Sequence, residues 1–167
     1  MPTHKRKRRT SRVGRPLHAV VPQREWLRVA LASISDAFIT TDTQGRVNFL
    51  NPEAQSLTGR TQEDAEGLPL EHVFNIINEA TRQAVENPAS RALREGQGGG
   101  LANHTLLIAK DGTERPIDDS AAPIRNDQGK VAGVVLIFRD ITERYRAEYA
   151  ARLLASIVNS SDDAIIS

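Results

Sequence analysis

Eight consecutive apolar residues, Val131, Ala132, Gly133, Val134, Val135, Leu136, Ile137 and Phe138, run without a break into Arg139, Asp140, Ile141, Thr142, Glu143 and Arg144. A short run this rich in β-branched types reads as a buried strand. Asp140 then reads as the N-cap of a helix, with Glu143 three positions on in the manner of a capping box. A core strand thus hands its position straight to an outgoing helix. That arrangement suits a chain that transmits a change inside its sheet better than one that catalyses.

The surroundings of this junction have a coarse order. Ala37 to Thr41 and Arg46 to Leu50 read as strands joined by the turn Asp42, Thr43, Gln44, Gly45. Asn51 is placed to N-cap a helix with Pro52 at its first position and Gly59 at its stop. Thr61 opens a second capped segment that ends at Gly67. The stretch from Leu68 to Val85 reads as helical, with Val73, Ile76, Ile77 and Ala80 on one side. Pro88 starts one more helix, which stops in the glycine run Gly96 to Gly100, read as a flexible connector. Strands over Asn103 to Ala109, Glu114 to Ile124 and Lys130 to Phe138 follow. Their short connections, which contain Asp111-Gly112 and Gln128-Gly129, make them antiparallel neighbours. Two strands, a helical middle and three strands give an α+β fold with helices covering one face of a sheet.

The flanks differ in character. Lys5, Arg6, Lys7, Arg8, Arg9, Arg12 and Arg15 place seven cations in the first 15 residues, so the net charge of +1 hides a body of 15 basic against 21 acidic residues. Residues 1–22 read as a disordered basic arm, and the acidic body argues against nucleic acid as a partner. Leu27, Ala30, Leu31 and Ile34 then form one apolar helical stripe, a lead-in helix over 23–35. The longest apolar run is far below the ~20 residues of a membrane helix, and no secretory h-region follows the basic start. With no cysteine in 167 residues, disulfides and thiolate chemistry are excluded, and a cytoplasmic location is expected.

Four pieces in order carry a resemblance. Ile39-Thr-Thr-Asp-Thr-Gln-Gly-Arg-Val-Asn-Phe-Leu-Asn-Pro-Glu-Ala54, Leu57-Thr-Gly-Arg60, Lys110-Asp-Gly-Thr113 and Val135-Leu-Ile-Phe-Arg-Asp-Ile-Thr-Glu-Arg144 are together similar to a PAS sensor domain over roughly residues 28 to 145. The resemblance implies a five-stranded antiparallel sheet with helices on one face around a ligand cavity, flanked by signalling helices. It places Asp140, Thr142 and Glu143 at the signal relay, and Asn51, Gly59, Asp111 and Gly112 at structural turns and caps. It also implies a module of a bacterial signalling protein, above all a sensor histidine kinase.

An internal repeat extends this. Leu31-Ala-Ser-Ile34 reappears as Leu154-Ala-Ser-Ile157, and Asp36-Ala-Phe-Ile-Thr40 matches Asp163-Ala-Ile-Ile-Ser167. The expected organisation is therefore a PAS domain over 36–141, a linker helix over 142–159 and the start of a second, truncated PAS domain over 160–167, its strand unpaired. The stripe Tyr145, Tyr149, Ala150, Leu153, Leu154 and Ile157 suits a parallel coiled-coil homodimer. Downstream PAS and output domains would be further partners.

Other chemistry has weaker support. A haem would need His72 or His104, because His4 and His18 lie in the arm, and neither has a second haem feature beside it. The sequence names no cofactor, and a non-covalent flavin or small organic ligand fits the family better than haem. Gly96 to Gly100 lacks the Lys-Ser/Thr pair of a phosphate loop. Asp118 and Asp119 are strand neighbours that point to opposite faces and cannot share a proton, and Ser120 has no histidine base near it in sequence. No phosphoacceptor-histidine helix or ATP-binding glycine box is present, so the chain itself is expected to be no enzyme. The alternatives to a kinase module are a transcriptional regulator, a cyclic-dinucleotide signalling protein and a cofactor-binding redox or gas sensor.

Overall fold

A computed structural model describes residues 35–100 and 104–165. The basic arm and all but the last residue of the expected lead-in helix lie outside the described residues.

Strands β1 (Ala37–Thr41) and β2 (Val47–Leu50) form the first hairpin. Its turn closes because the Asp42 carboxylate accepts from the amides of Gln44 at 2.8 Å and Arg46 at 2.9 Å. Helices α1 (Pro52–Thr58), α2 (Gln62–Ala65) and α3 (Leu70–Val73) follow, then β3 (Asn75–Asn78), α4 (Pro88–Glu95), β4 (Gly99–Gly100), β5 (Thr105–Ile108), β6 (Glu114–Arg125), β7 (Val131–Asp140) and α5 (Thr142–Ile165). One antiparallel sheet runs β2-β1-β7-β6-β5-β3, with β4 beside β6. The fold is α+β, as expected, with seven strands among the described residues where five were expected.

Two of the differences have the same origin. The stretch from Leu68 to Val85 is not one helix: α3 ends at Val73, and Asn75 to Asn78 pair with Ile108 to Thr105 of β5. Adjacent Ile76 and Ile77 satisfy a helical stripe and a doubly covered strand equally well, and the long-range ladder decides. Asn78 then stops the strand, its side-chain oxygen accepting from the amides of Ala80 and Thr81 at 2.9 Å each. The glycine run is likewise no loose connector. Gly99 and Gly100 pair with Ala121 and Ser120, and a Cβ on Gly100 would stand 2.7 Å from the Asp119 carbonyl oxygen. Lack of a side chain is what lets this strand approach β6.

The third difference lies at the far end. Residues 160–165, expected as an unpaired strand, continue α5. A lone strand has no ladder to pair with, so the local preference of the chain for helix prevails.

The core lies between α1 to α4 and the inner face of the sheet. Ile39, Val134, Leu136, Phe138, Ala121 and Leu107 point inward, and α1 and α4 close over them, α4 lying across β6 and β7. Both outer edges are occupied. The edge of β2 is bonded by Leu68 and Gly67 and by the Gln62 side chain, which accepts from the Leu50 amide at 2.7 Å. The returning chain at Gln83 and Val85 bonds β3. Blocked edges leave these strands unable to recruit a foreign strand.

Candidate functional site

The turns and caps assemble as the sequence indicates, and Asn51 does more than cap. Wholly buried, its side-chain oxygen accepts from Ala54 N at the head of α1 and from Phe38 N in β1, both at 2.9 Å, while its Nδ2 donates to the Asp36 carbonyl at 2.8 Å. Gly59 ends α1 with φ +69°, a left-handed conformation that favours glycine. Beside it the Lys110 amide donates to the Thr58 carbonyl, bringing the β5–β6 turn against the end of α1. Within that turn the Asp111 carboxylate accepts from Thr113 N at 2.9 Å, and Gly112 takes φ +86°.

The residues that the resemblance places at a relay, Asp140, Thr142 and Glu143, sit where β7 becomes α5. Asp140 is the last ladder residue, opposite Ile117, and the Ile141 amide donates to the Pro116 carbonyl at 2.9 Å. One oxygen of the Asp140 carboxylate accepts from the Thr142 amide at 2.8 Å and from the Thr142 hydroxyl at 2.5 Å. The other lies 3.6 Å from Arg115 Nε on β6, both side chains about one-third exposed. A single carboxylate therefore touches the neighbouring strand and the first residue of the helix.

The capping expectation needs one correction. Asp140 stands one position before the cap, and Glu143 is 91 % exposed and pairs with Arg146 at 3.5 Å instead of reaching back. Ile141, 7 % exposed, intervenes because its side chain is drawn into the core. Glu143 thus lines a surface cleft between the start of β6 and the start of α5, with Glu114, Arg115, Asp140 and Arg146.

Two contacts that sequence reading missed pin the first turns of α5. Arg144 meets the Asp118 carboxylate on β6 at 3.2 Å, and the Tyr145 hydroxyl lies 3.5 Å from His104 Nδ1, which is itself 3.5 Å from Glu79. Burial, together with the negative charge of Glu79, Asp118 and Glu148, pushes the Tyr145 phenol above its ordinary pKa. Further along, Tyr149, Leu153, Leu154, Ile157 and Val158 are exposed.

The remaining candidates fall apart as chemistry. Asp118 faces Arg144, whereas Asp119 is half-buried on the opposite face, so the two do not form a carboxylate pair. His72 is exposed at the end of α3 and the His104 side chain is 66 % exposed, so neither reaches the interior. That interior is filled by Phe74 and Phe138, each 1 % exposed, with ring centroids 4.8 Å apart.

Comparison with known proteins decides the family. A family model described as the PAS fold matches residues 31–146. The chain belongs to the PAS family. The match takes in the whole sheet and the Asp140–Thr142 junction. A solved PAS domain from Colwellia psychrerythraea is 22 % identical, with a TM-score of 0.55, covering 71 % of this PAS chain and 97 % of that one. Among curated proteins, a probable diguanylate cyclase of Escherichia coli, DgcE, is 29 % identical over 125 residues, 75 % of this chain and 11 % of its own length. The signal transduction histidine-protein kinase AtoS of the same species is 28 % identical over 117 residues, 68 % of this chain and 17 % of its own. The chain spans less than a fifth of either relative. This PAS domain is thus homologous to domains of both kinases and cyclic-dinucleotide enzymes.

Electrostatics sets one expectation for the PAS body. The Arg139 guanidinium holds Asp36, the Thr113 amide holds Asp111, and the Arg82 guanidinium holds Glu114 below the ordinary carboxylate range. Groups depressed in this way stabilise the folded state above their unfolded pKa of about 4, and that contribution disappears as pH falls through the lower folded values. The melting temperature should therefore drop as pH is taken from about 4 downward, less so in Asp36→Asn. An unchanged acid slope in that variant would contradict the assignment.

Proposed function

We propose that this PAS domain is a relay and dimerisation module of a larger cytoplasmic signalling protein, in which Asp140 couples the sheet to α5 and α5 carries the signal to an output domain. The observation that supports it most is the Asp140 carboxylate, shared between Arg115 on β6 and both the amide and hydroxyl of Thr142. A change in the β6–β7 register moves that carboxylate, and the first turn of α5 must follow or lose its anchor. Glu143, outside this grip, tunes the cleft charge through Arg146.

The exposed apolar residues of α5 would pair with those of a second copy, a parallel arrangement that turns rotation or axial shift into a downstream change. The output domain is a histidine kinase in this reading. Likeness to the AtoS kinase supports it, and likeness to DgcE supports a cyclic-dinucleotide enzyme as the second reading. No helix among the described residues is long and apolar enough to cross a membrane, consistent with a cytoplasmic module. The chain carries no catalytic role of its own.

In the full-length protein, Asp140→Ala should change output activity several-fold while the melting temperature of the domain falls by only a few degrees. The partly buried Asp140 carboxylate, as a hydrogen-bond acceptor at the helix start, contributes about 1 kcal/mol, against a total of about 5–15 kcal/mol for a domain. Wild-type output across stimulus conditions would refute the relay.

A further inference from the structure

The last two residues of β7 are held from opposite faces of the sheet. Alternation along the strand turns Asp140 toward Arg115 and Thr142, and Arg139 toward the other side. There Arg139 meets Asp36 in a two-point contact, Nε to Oδ1 and Nη2 to Oδ2, each 2.8 Å, between residues 103 positions apart in sequence. Asp36 immediately precedes β1, whose Ala37 pairs with Phe138, so the chain enters the body next to where it leaves. Its carbonyl is also fixed by Asn51, so the residue is anchored on both backbone and side chain.

The charges continue past Arg139. Asp118 is its ladder partner across β6 and β7, which puts the Asp118 carboxylate on the same face and adds a second negative charge beside the guanidinium. Asp118 in turn holds Arg144 in the first turn of α5 at 3.2 Å. Asp36, Arg139, Asp118 and Arg144 form a line of alternating charge from the start of β1 to the base of the outgoing helix. None of it passes through the core. The sequence repeat places an aspartate, Asp163, at the position matching Asp36 in the following copy.

We propose that the Asp36–Arg139 ion pair is a clasp joining the segment that enters the PAS body to the helix that leaves it, so that displacement of the incoming segment repositions α5 directly. The domain then serves as a serial element: an upstream movement crosses it along the outer face of the sheet, independent of any ligand in the interior. This rests on the reading of α5 as the helix that carries a signal onward, and adds an input to it separate from Asp140. Arg139 and Asp36 act as positioning residues.

The native chain has no cysteine, so two introduced cysteines are unique labelling sites. Spin labels at Glu63→Cys on α2 and Arg152→Cys on α5, both exposed, report the position of the helix against the body when the labelled protein is diluted with unlabelled chain. Asp36→Asn and Arg139→Gln should each raise the displaced fraction about fivefold, the change for an exposed pair at the upper end of its usual strength. The double variant should show no more than either single one. Unchanged distances with a lowered melting temperature would mean a merely structural bridge and would overturn the clasp, as would additive effects. Asp140→Ala in the same labelled protein separates the two ideas. Movement of α5 there but not in Asp36→Asn removes the clasp and keeps the relay, and the reverse removes the relay and keeps the clasp.

Discussion

Gly133→Ala is expected to lower the stability of the domain by at least about 3–4 kcal/mol, a large share of the about 5–15 kcal/mol that holds a domain folded. A Cβ built on Gly133 would lie 2.0 Å from the Thr41 carbonyl oxygen and 3.1 Å from its carbonyl carbon. Both are backbone atoms of the adjoining central strand. Relief requires β1 and β7 to separate by more than 1 Å, on the order of the gap to an ordinary carbon–oxygen contact of ~3.3 Å. That opening would begin at the Thr41–Val134 pair, the last of the β1–β7 ladder. Gly129→Ala is the control. Gly129 takes φ +75° with nothing within 4 Å of its built Cβ, so alanine there costs only the left-handed backbone penalty of about 1–2 kcal/mol. Chemical denaturation of both variants should separate them by roughly 2 kcal/mol or more. Equal midpoints would show that the sheet yields at Thr41.

Asn51→Ala is the second large effect. It removes the cap of α1, worth about 1 kcal/mol, and orphans the Phe38 amide and the Asp36 carbonyl, each costing about 1–3 kcal/mol where water cannot reach. A total of about 3–7 kcal/mol follows, or a fall of roughly 12–30 °C in melting temperature for a domain of this size. Asn51→Asp isolates one part of this. Aspartate can still accept from Phe38 and Ala54 but cannot donate to Asp36, so its cost should come chiefly from the β1 end. A melting temperature for Asn51→Ala within a few degrees of wild type would contradict the assignment of Asn51 as the stitch between β1 and α1.

The features legible in sequence were those written locally. The Asp42 and Asp111 turns, the Asn51-Pro52 start and the Gly59 stop each need only a few adjacent residues, and the structure places them as read. Where the deciding partner is distant, local pattern fails. Ile76 and Ile77 fit a helix until β5 pairs with them, and Gly99 and Gly100 look like slack chain until β6 lies against them. The same holds at the site. The contact between Asp140 and Thr142, two residues apart, is local, whereas Arg115, and Asp118 as partner to Arg144, come from another strand and left no local trace. Glu143 was placed by a capping spacing that Ile141 displaces when it turns into the core.

Amide hydrogen exchange at the base of α5 tests the relay most directly. In Asp140→Ala the bonded amides of Thr142 and Tyr145 should exchange about fivefold faster, while those of Val134 to Phe138 in β7 keep their protection, since the lost anchor of about 1 kcal/mol is local to the helix start. Equal exchange at Thr142 and Tyr145 in variant and wild type would show that Asp140 does not tether the helix to the sheet.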